Sequence, residues 1–225
     1  MEIINKKLRI TDIKQGVKNQ NRANIFIDGK YSFSLDIAQL VDFKLKIGQE
    51  ITEAELAEYQ RASAFGKLYQ RALEWVLVRP RSIKETRDYL FRKLRENSKS
   101  SSEGPKTWAS APERPEEEAF RILETLTKKH YLDDYAFAKY YAENRFTKKG
   151  ISKKRLKMEL MKKGVSNTII EQVLSSNLRN DEEEIKKVIA KKRNKYDDAK
   201  LIQYLVRQGF DFELARNLVQ TSETD

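Results

Sequence analysis

The sequence predicts a mainly α protein: tandem three-helix repeats stacked into an elongated curved rod, with a small N-terminal β-containing head. Three observations carry that expectation. Strand-like alternation is confined to the first 35 residues, and helical spacing of apolar residues takes over further along the chain. A 45-residue register then recurs with caps, apolar positions and a glycine in step. Only 8 Gly and 4 Pro among 225 residues favour helices over a loop-rich β fold.

In the head, Leu8 and Ile10 alternate with polar neighbours, as do Ile25 and Ile27, then Tyr31, Phe33 and Leu35. Asp28-Gly29 separates the last two runs. A two-residue type I′ turn needs positive φ at both positions, and it pairs Ile27 with Lys30 and Phe26 with Tyr31. That register leaves apolar groups on both faces, so the unit is expected to pack against something else. Asp36 to Phe43 reads as a short helix, and Thr52-Glu53-Ala54-Glu55 as a capping box opening a helix through about Ala64. Residues 1–64 make up the head.

The first repeat is assigned to residues 65–130. Leu68, Ala72, Trp75 and Val76 recur at helical spacing until Arg79-Pro80-Arg81 breaks the run. Ser82-Ile83-Lys84-Glu85 is a second capping box, ahead of Tyr89, Leu90, Phe91 and Leu94. Residues 97–115 hold five Ser, one Gly and three Pro, with Trp108 as their one large apolar side chain. Too little surface is available there to offset ordering entropy, so the segment reads as a flexible insertion, with Trp108 either a docking anchor or simply exposed. Pro115-Glu116-Glu117-Glu118 then opens a helix that buries Ile122, Leu123 and Leu126.

The second repeat, 131–178, has Asp133 and Asp134 capping a helix with Phe137, Ala138, Tyr141 and Ala142. Ser152 caps the next, which carries Leu156 and Leu160 and stops at Gly164, where a left-handed cap is expected. Ser166 caps a third, with Ile169, Ile170, Val173 and Leu174. Residues 179–225 repeat the pattern: Ser152 aligns with Asp197, Leu156 with Leu201, Leu160 with Leu205, Gly164 with Gly209 and Ser166 with Asp211. The first repeat is a degenerate copy in which Ser82 stands for Ser152 and Leu90 for Leu160, but Leu94 replaces the glycine. One such unit cannot hide its apolar stripe, and stacking neighbours buries it.

The net charge of +11 is uneven: +5 over residues 65–96 and +8 over 119–179, against +1, −2 and −1 elsewhere. Two basic blocks of this kind attract polyanions or an acidic protein face. Zero Cys excludes disulfides, thiol catalysis and Cys-ligated metals, and the single His130 argues against His-rich metal sites and His-dependent triads. No Gly-rich phosphate loop supports nucleotide hydrolysis. Asp133-Asp134 and Asp181-Glu182-Glu183-Glu184 read as caps and first turns rather than metal sites. No apolar run approaches the roughly 20 residues of a spanning helix, and Met-Glu-Ile-Ile-Asn-Lys-Lys lacks a secretory apolar core, so a cytoplasmic, non-membrane location is expected.

From Phe65 onward the chain resembles the RecX family of regulators of the RecA recombinase. The segments carrying the resemblance are Ala72-Leu73 through Arg79-Pro80-Arg81-Ser82, and Tyr131-Leu132-Asp133-Asp134-Tyr135-Ala136-Phe137-Ala138. Arg145 with Lys149-Gly150, and Leu156 to Leu160 with Lys163-Gly164-Val165, complete it. The β head resembles that of some longer members, while the insertion and Leu94 depart from the pattern. The resemblance implies a helical body that lies along the RecA–DNA filament, limits its growth, dampens strand exchange and co-protease activity, and has no catalytic activity. It implies a RecA filament partner; single- and double-stranded DNA are further candidates, and no cofactor and a monomeric chain are expected. The alternatives are a general helical DNA-binding protein acting without RecA and, from a different class, a nuclease, for which no acidic cluster with metal-ligand spacing speaks.

Between Arg145 and Lys163 stand nine basic residues and one acid, Glu159. Arg145, Lys148 and Lys149 precede the Ser152 cap, and Lys153, Lys154, Arg155 and Lys157 occupy the first turns of the helix, with Lys162 and Lys163 at its end. Cations in a first turn oppose the helix dipole by a few tenths of a kcal/mol each, which points to an external anion. With Arg79, Arg81, Arg87, Arg92 and Lys93 of the first repeat they are the candidate filament or DNA contacts. Tyr135, Phe137, Tyr140 and Tyr141 have the residue type for base stacking, but the spacing of Phe137 and Tyr141 favours core.

Overall fold

The computed structural model describes residues 7–17, 19–100, 115–176 and 179–221. The chain divides into two compact units, Met1–Leu77 with Arg87–Lys128, and Val78–Thr86 with Lys129–Asp225. Among the described residues there are ten α-helices and four strands, and no helix is long and apolar enough to cross a membrane.

In the first unit, β1 (Leu8–Gln15), β2 (Arg22–Ile27), β3 (Lys30–Asp36) and the short β4 (Glu50–Ile51) form one antiparallel sheet in the order β3-β2-β1-β4. Asp28 and Gly29 both have positive φ, 47° and 78°, and the expected pairs Ile27–Lys30 and Phe26–Tyr31 form. Past them the register slips, and Ile25 pairs with Phe33, leaving Ser32 as a bulge. One extra residue reverses the facing of everything beyond it. Phe33 and Leu35 thereby join Ala23, Ile25 and Ile27 on the buried face, over Ile10, Leu45, Ile51 and Tyr59. The two-faced apolar hairpin expected from an unbroken register is corrected by that bulge, and the residual pair Phe26–Tyr31 meets edge to face on the other side at 6.0 Å.

Helix α1 (Ile37–Asp42) starts from a capping box between Asp36 and Gln39. Helix α2 (Glu53–Val78) starts from another, in which the Glu55 amide donates to Thr52 Oγ1 at 3.2 Å and the Thr52 amide donates back to the Glu55 carboxylate at 2.7 Å. It does not stop near Ala64: 26 residues run unbroken to the Arg79-Pro80 block, because Ser63, Ala64, Leu68, Ala72 and Val76 keep one buried stripe going. Helix α3 (Ile83–Ser100) likewise passes the point where a glycine is expected. Leu94 is buried, nothing forces a left-handed residue, and the helix takes up the first four residues of the expected insertion, 97–100. The other expected insertion positions before α4, including Trp108, lie outside the described residues. Helix α4 (Pro115–Lys128) buries Ile122, Leu123 and Leu126 as expected, and Ala119 with them.

The second unit contains two consecutive three-helix repeats. Helices α5 (Asp134–Asn144), α6 (Lys153–Lys162) and α7 (Asn167–Ser175) enclose Phe137, Ala138, Ala142, Ile151, Leu156, Leu160, Val165, Ile170 and Val173. Helices α8 (Asp181–Lys192), α9 (Asp198–Arg207) and α10 (Phe212–Thr221) enclose Ile185, Val188, Ile189, Leu201, Leu205, Phe210, Ala215 and Val219. Ser152, Ser166, Asp197 and Asp211 each accept the amide three residues on, at 3.1, 3.4, 2.8 and 2.9 Å. Such caps contribute about 1 kcal/mol each.

Two joints within this unit use the same bonds. Ser82 Oγ donates to the Lys163 carbonyl at 2.7 Å while Asp134 accepts from the Ile83 amide at 2.9 Å. Ser152 Oγ donates to the Gln208 carbonyl at 2.7 Å while Asp181 accepts from the Lys153 amide at 2.9 Å. Gly164 and Gly209 belong to these joints. Both are left-handed, at φ 84° and 92°, and a Cβ would lie 2.7 Å from Lys84 Cβ at the first and 2.9 Å from Ser152 Oγ at the second. Glycine therefore meets two demands at once, the backbone conformation and the close approach. Asp134 and Asp181 are not simple caps as expected: Asp133 and Asn180 are the N-caps, and the two acids reach across the joints.

Candidate functional site

The basic block 145–163 is a turn followed by α6, and the leucine stripe decides which way α6 faces. Leu156 and Leu160 are fully buried, so the opposite side of a ten-residue helix must carry the lysines outward. Among the described residues Lys148, Lys149, Lys154 and Lys162 are exposed and meet no carboxylate. Lys157 differs, pairing with Glu171 on α7.

The arginines behave otherwise. Glu159 accepts from Tyr141 Oη at 2.7 Å, from Arg145 Nε at 2.7 Å and from Arg155 Nε at 3.4 Å. Burial pushes the Glu159 carboxyl up, but the Arg145 and Tyr141 hydrogen bonds outweigh it and hold the group below the usual carboxylate range. Burial, reinforced by the bond to Glu159, raises the Tyr141 phenol to about 12. The Arg145 guanidinium lies 3.6 Å from the centre of the Phe146 ring, and Arg155 also bonds the Gln208 side chain. Both arginines are thus matched internally.

A second cluster gathers around Glu85, which takes Lys163 Nζ at 2.6 Å and Arg79 at 3.5 Å. Its carboxyl, raised by burial, is brought below the usual range by those two cations. Arg81, half-buried beside Arg79, is pushed down by burial and then by its neighbour's charge. Lys84 Nζ donates to the Lys162 carbonyl at 2.9 Å. The sequence-predicted residues Arg79, Arg81, Lys163 and the 145–162 set all fall in the second unit. Arg87, Arg92 and Lys93 belong to the first, where Arg87 approaches Asp88 at 3.8 Å, and Lys93 pairs with Glu96 at 2.7 Å. There Arg92 and Lys93 lie 5.6 and 5.9 Å from the Tyr89 ring, itself stacked on Trp75 at 4.6 Å.

Of the aromatic candidates, Phe137 is core, Tyr141 is tied to Glu159 and Tyr135 is exposed. Sequence reasoning passed over Phe146 and Arg179. A phenylalanine set among Arg145, Lys148 and Lys149 was the available signal for the first, and a lone base before the acids of α8 for the second. No group of three potential metal ligands stands together among the described residues.

These features define a class: helical-repeat proteins with an antiparallel-sheet head and a lysine-rich outer helix face. The profile described as "Regulatory protein RecX N-terminal domain" matches residues 8–52, the span of the sheet, and "RecX, second three-helix domain" matches 133–174, the span of α5 to α7. The chain belongs to the RecX family of regulatory proteins. It is 31% identical over 219 residues to a regulatory protein RecX of Bacillus pumilus, covering 94% of this chain and 76% of that one. To one of Listeria monocytogenes it is 32% identical over 233 residues, covering 97% and 78%. A crystal structure of a regulatory protein RecX superposes with a TM-score of 0.65 at 26% identity, covering 92% of this chain and 96% of that one.

Proposed function

We propose that this chain binds the RecA–DNA filament and modulates RecA, mainly by inhibition, in strand exchange, co-protease activity, DNA repair and the SOS response. It acts by occupancy rather than catalysis, as a cytoplasmic monomer, with residues 65–130, 131–178 and 179–225 as its three repeats behind a 1–64 head. One observation carries the reading. Within a block where Glu159 and Glu85 already satisfy Arg145, Arg155 and Lys163, the exposed Lys148, Lys149, Lys154 and Lys162 meet no carboxylate. Exposed ammonium groups gathered on a turn and the helix after it gain most from an external polyanion, through release of its counterions. Lysines are thereby favoured over arginines as the contacts, with Arg79, Arg81, Arg87, Arg92 and Lys93 as a second set.

The test is filament assembly on single-stranded DNA with sub-stoichiometric protein. Slower extension and reduced strand exchange are expected, and unchanged growth overturns the reading. Affinity for naked and RecA-coated DNA separates it from a RecA-independent DNA-binding role, which predicts equal or weaker binding to the filament.

A further inference from the structure

A buried ion pair, Arg179 with Glu184, sits beneath the candidate face without contributing charge to it, since the two residues are 8% and 1% exposed. Its hydrogen bonds converge on the turn between α5 and α6. Arg179 donates to the carbonyls of Ala142 at 2.8 Å, Glu143 at 3.1 Å and Arg145 at 2.7 Å, and to Glu184 at 2.8 Å. Glu184 uses its second oxygen to accept the Ile151 amide at 3.0 Å. One partner therefore closes the end of α5 and the other holds the residue just past the turn.

Between those two anchors the chain is tightly wound. Phe146 and Gly150 are both left-handed, at φ 49° and 78°, and the amides of Lys149 and Gly150 donate to the Phe146 carbonyl at 2.9 and 3.1 Å. A Cβ on Gly150 would run into the Glu184 carbonyl and come within 2.8 Å of Val188 Cγ2, so α8 supports the turn from inside. Lys148 and Lys149 are exposed on it.

We propose that Arg179 and Glu184 are positioning residues: the third repeat, which supplies none of the candidate cations, fixes the turn on which the second presents Lys148 and Lys149. The inference rests on the anion-binding reading above. Buried ion pairs add little stability over an apolar pair of similar size, so conformational definition is what this one contributes. A turn already fixed spares the ordering cost that binding would otherwise carry.

The test is the double variant Arg179→Met/Glu184→Met, which removes both buried charges and leaves Lys187, the other cation on Glu184 at 2.7 Å, to solvent. It is expected to fold, with a somewhat lower urea midpoint, because the carbonyls of Ala142, Glu143 and Arg145 and the Ile151 amide lose their partners. Amide exchange of Lys149, Gly150 and Ile151 should rise about tenfold or more while Leu156 and Leu160 keep their protection. Affinity for a short thymidine oligonucleotide should fall about fivefold or more. Unchanged turn exchange in the folded variant, or unchanged oligonucleotide affinity alongside faster turn exchange, overturns the proposal. If the double variant fails to fold, Glu184→Gln takes its place: faster exchange confined to the turn supports the proposal, and unchanged exchange overturns it. Exchange is read without ligand, so a parent that binds no oligonucleotide overturns the anion-binding reading and the positioning role with it, while the exchange data still report separately whether the pair holds the turn.

Discussion

Helices α6 and α9 occupy equivalent places in consecutive repeats. Each has ten residues, an oxygen cap at Ser152 or Asp197, two buried leucines and a left-handed glycine after its end. Outside, they part company. Where α6 begins Lys153-Lys154-Arg155, α9 begins Asp198-Ala199-Lys200, and Lys157 and Lys162 stand opposite Ile202 and Arg207. Acids at a helix start agree with the dipole and cations oppose it, so α9 has the start that suits a helix alone and α6 does not. The inward positions of the two helices follow from packing, and on the function proposed above the outward positions of α6 answer to an external anion.

Removing a leucine tests the half of that comparison in which the helices agree. Leu160→Ala and Leu205→Ala should each cost about 2–5 kcal/mol, by the lost burial and the cavity left behind. Urea unfolding checks this, and a large difference between the two would mean the repeats are packed less alike than their cores indicate. Charge tests the other half. Reversing Lys148, Lys149 and Lys154 to Glu should flatten the dependence of log K on log salt by roughly 2–3 for duplex DNA, at about 0.9 per lost phosphate contact. Reversing Lys191, Lys195 and Arg207 around α9 should leave the slope near the parent's. Equal slopes for both triple variants would remove the distinction.

A smaller effect is expected at the shared glycines. Gly164→Ala and Gly209→Ala should each destabilise by about 1–3 kcal/mol, from the left-handed backbone and the contact across the joint. The 164 variant should suffer more, because its Cβ meets a side-chain Cβ rather than a hydroxyl. The smallest effect concerns pH. Burial raises the folded-state Asp134 carboxyl above its ordinary 3.8, so the stability it adds is complete below that value and is lost as pH rises through the raised one. Asp134→Asn keeps an acceptor for the Ile83 amide, and its urea midpoint at neutral pH should match or exceed the parent's, within about 1 kcal/mol. Glu159 works in the opposite sense. Held below 4.5, it adds stability above that range which disappears on acidification, and Glu159→Gln should flatten the acid limb.

Local signals in the sequence suffice where a single residue type decides the geometry. Asp28-Gly29, the caps Asp133, Ser152, Ser166 and Asp197, and the glycines 164 and 209 all act where they were expected. The same local reading failed where structure rests on a distant partner. The bulge at Ser32 answers to the core beneath it, and α2 continues past Ala64 because its stripe stays covered. For the site, the positions of the lysines were legible from the cap and the leucine spacing. The engagement of Arg145 and Arg155 by Glu159, and of Lys163 by Glu85 far along the chain, required the fold. By sequence Glu184 is one acid in a helix start; its burial and its bonds to Arg179, Lys187 and the Ile151 amide set it apart from Glu182 and Glu183.

The repeated joint depends on a hydroxyl doing two things at once. Ser82 and Ser152 cap their helices as acceptors and, with the same hydroxyl, donate to the neighbouring unit's helix-end carbonyl. Asp197 performs the first task and lacks the proton for the second, so a fourth unit laid on α9 would set a carbonyl against a carboxylate, acceptor against acceptor. At the opposite end Leu94 stands where the left-handed glycine of a receiving unit would be, inside a helix that runs on to Ser100. At Asp197 and at Leu94, therefore, the two hydrogen-bond and backbone conditions that make the joints at Ser82 and Ser152 are not met a further time.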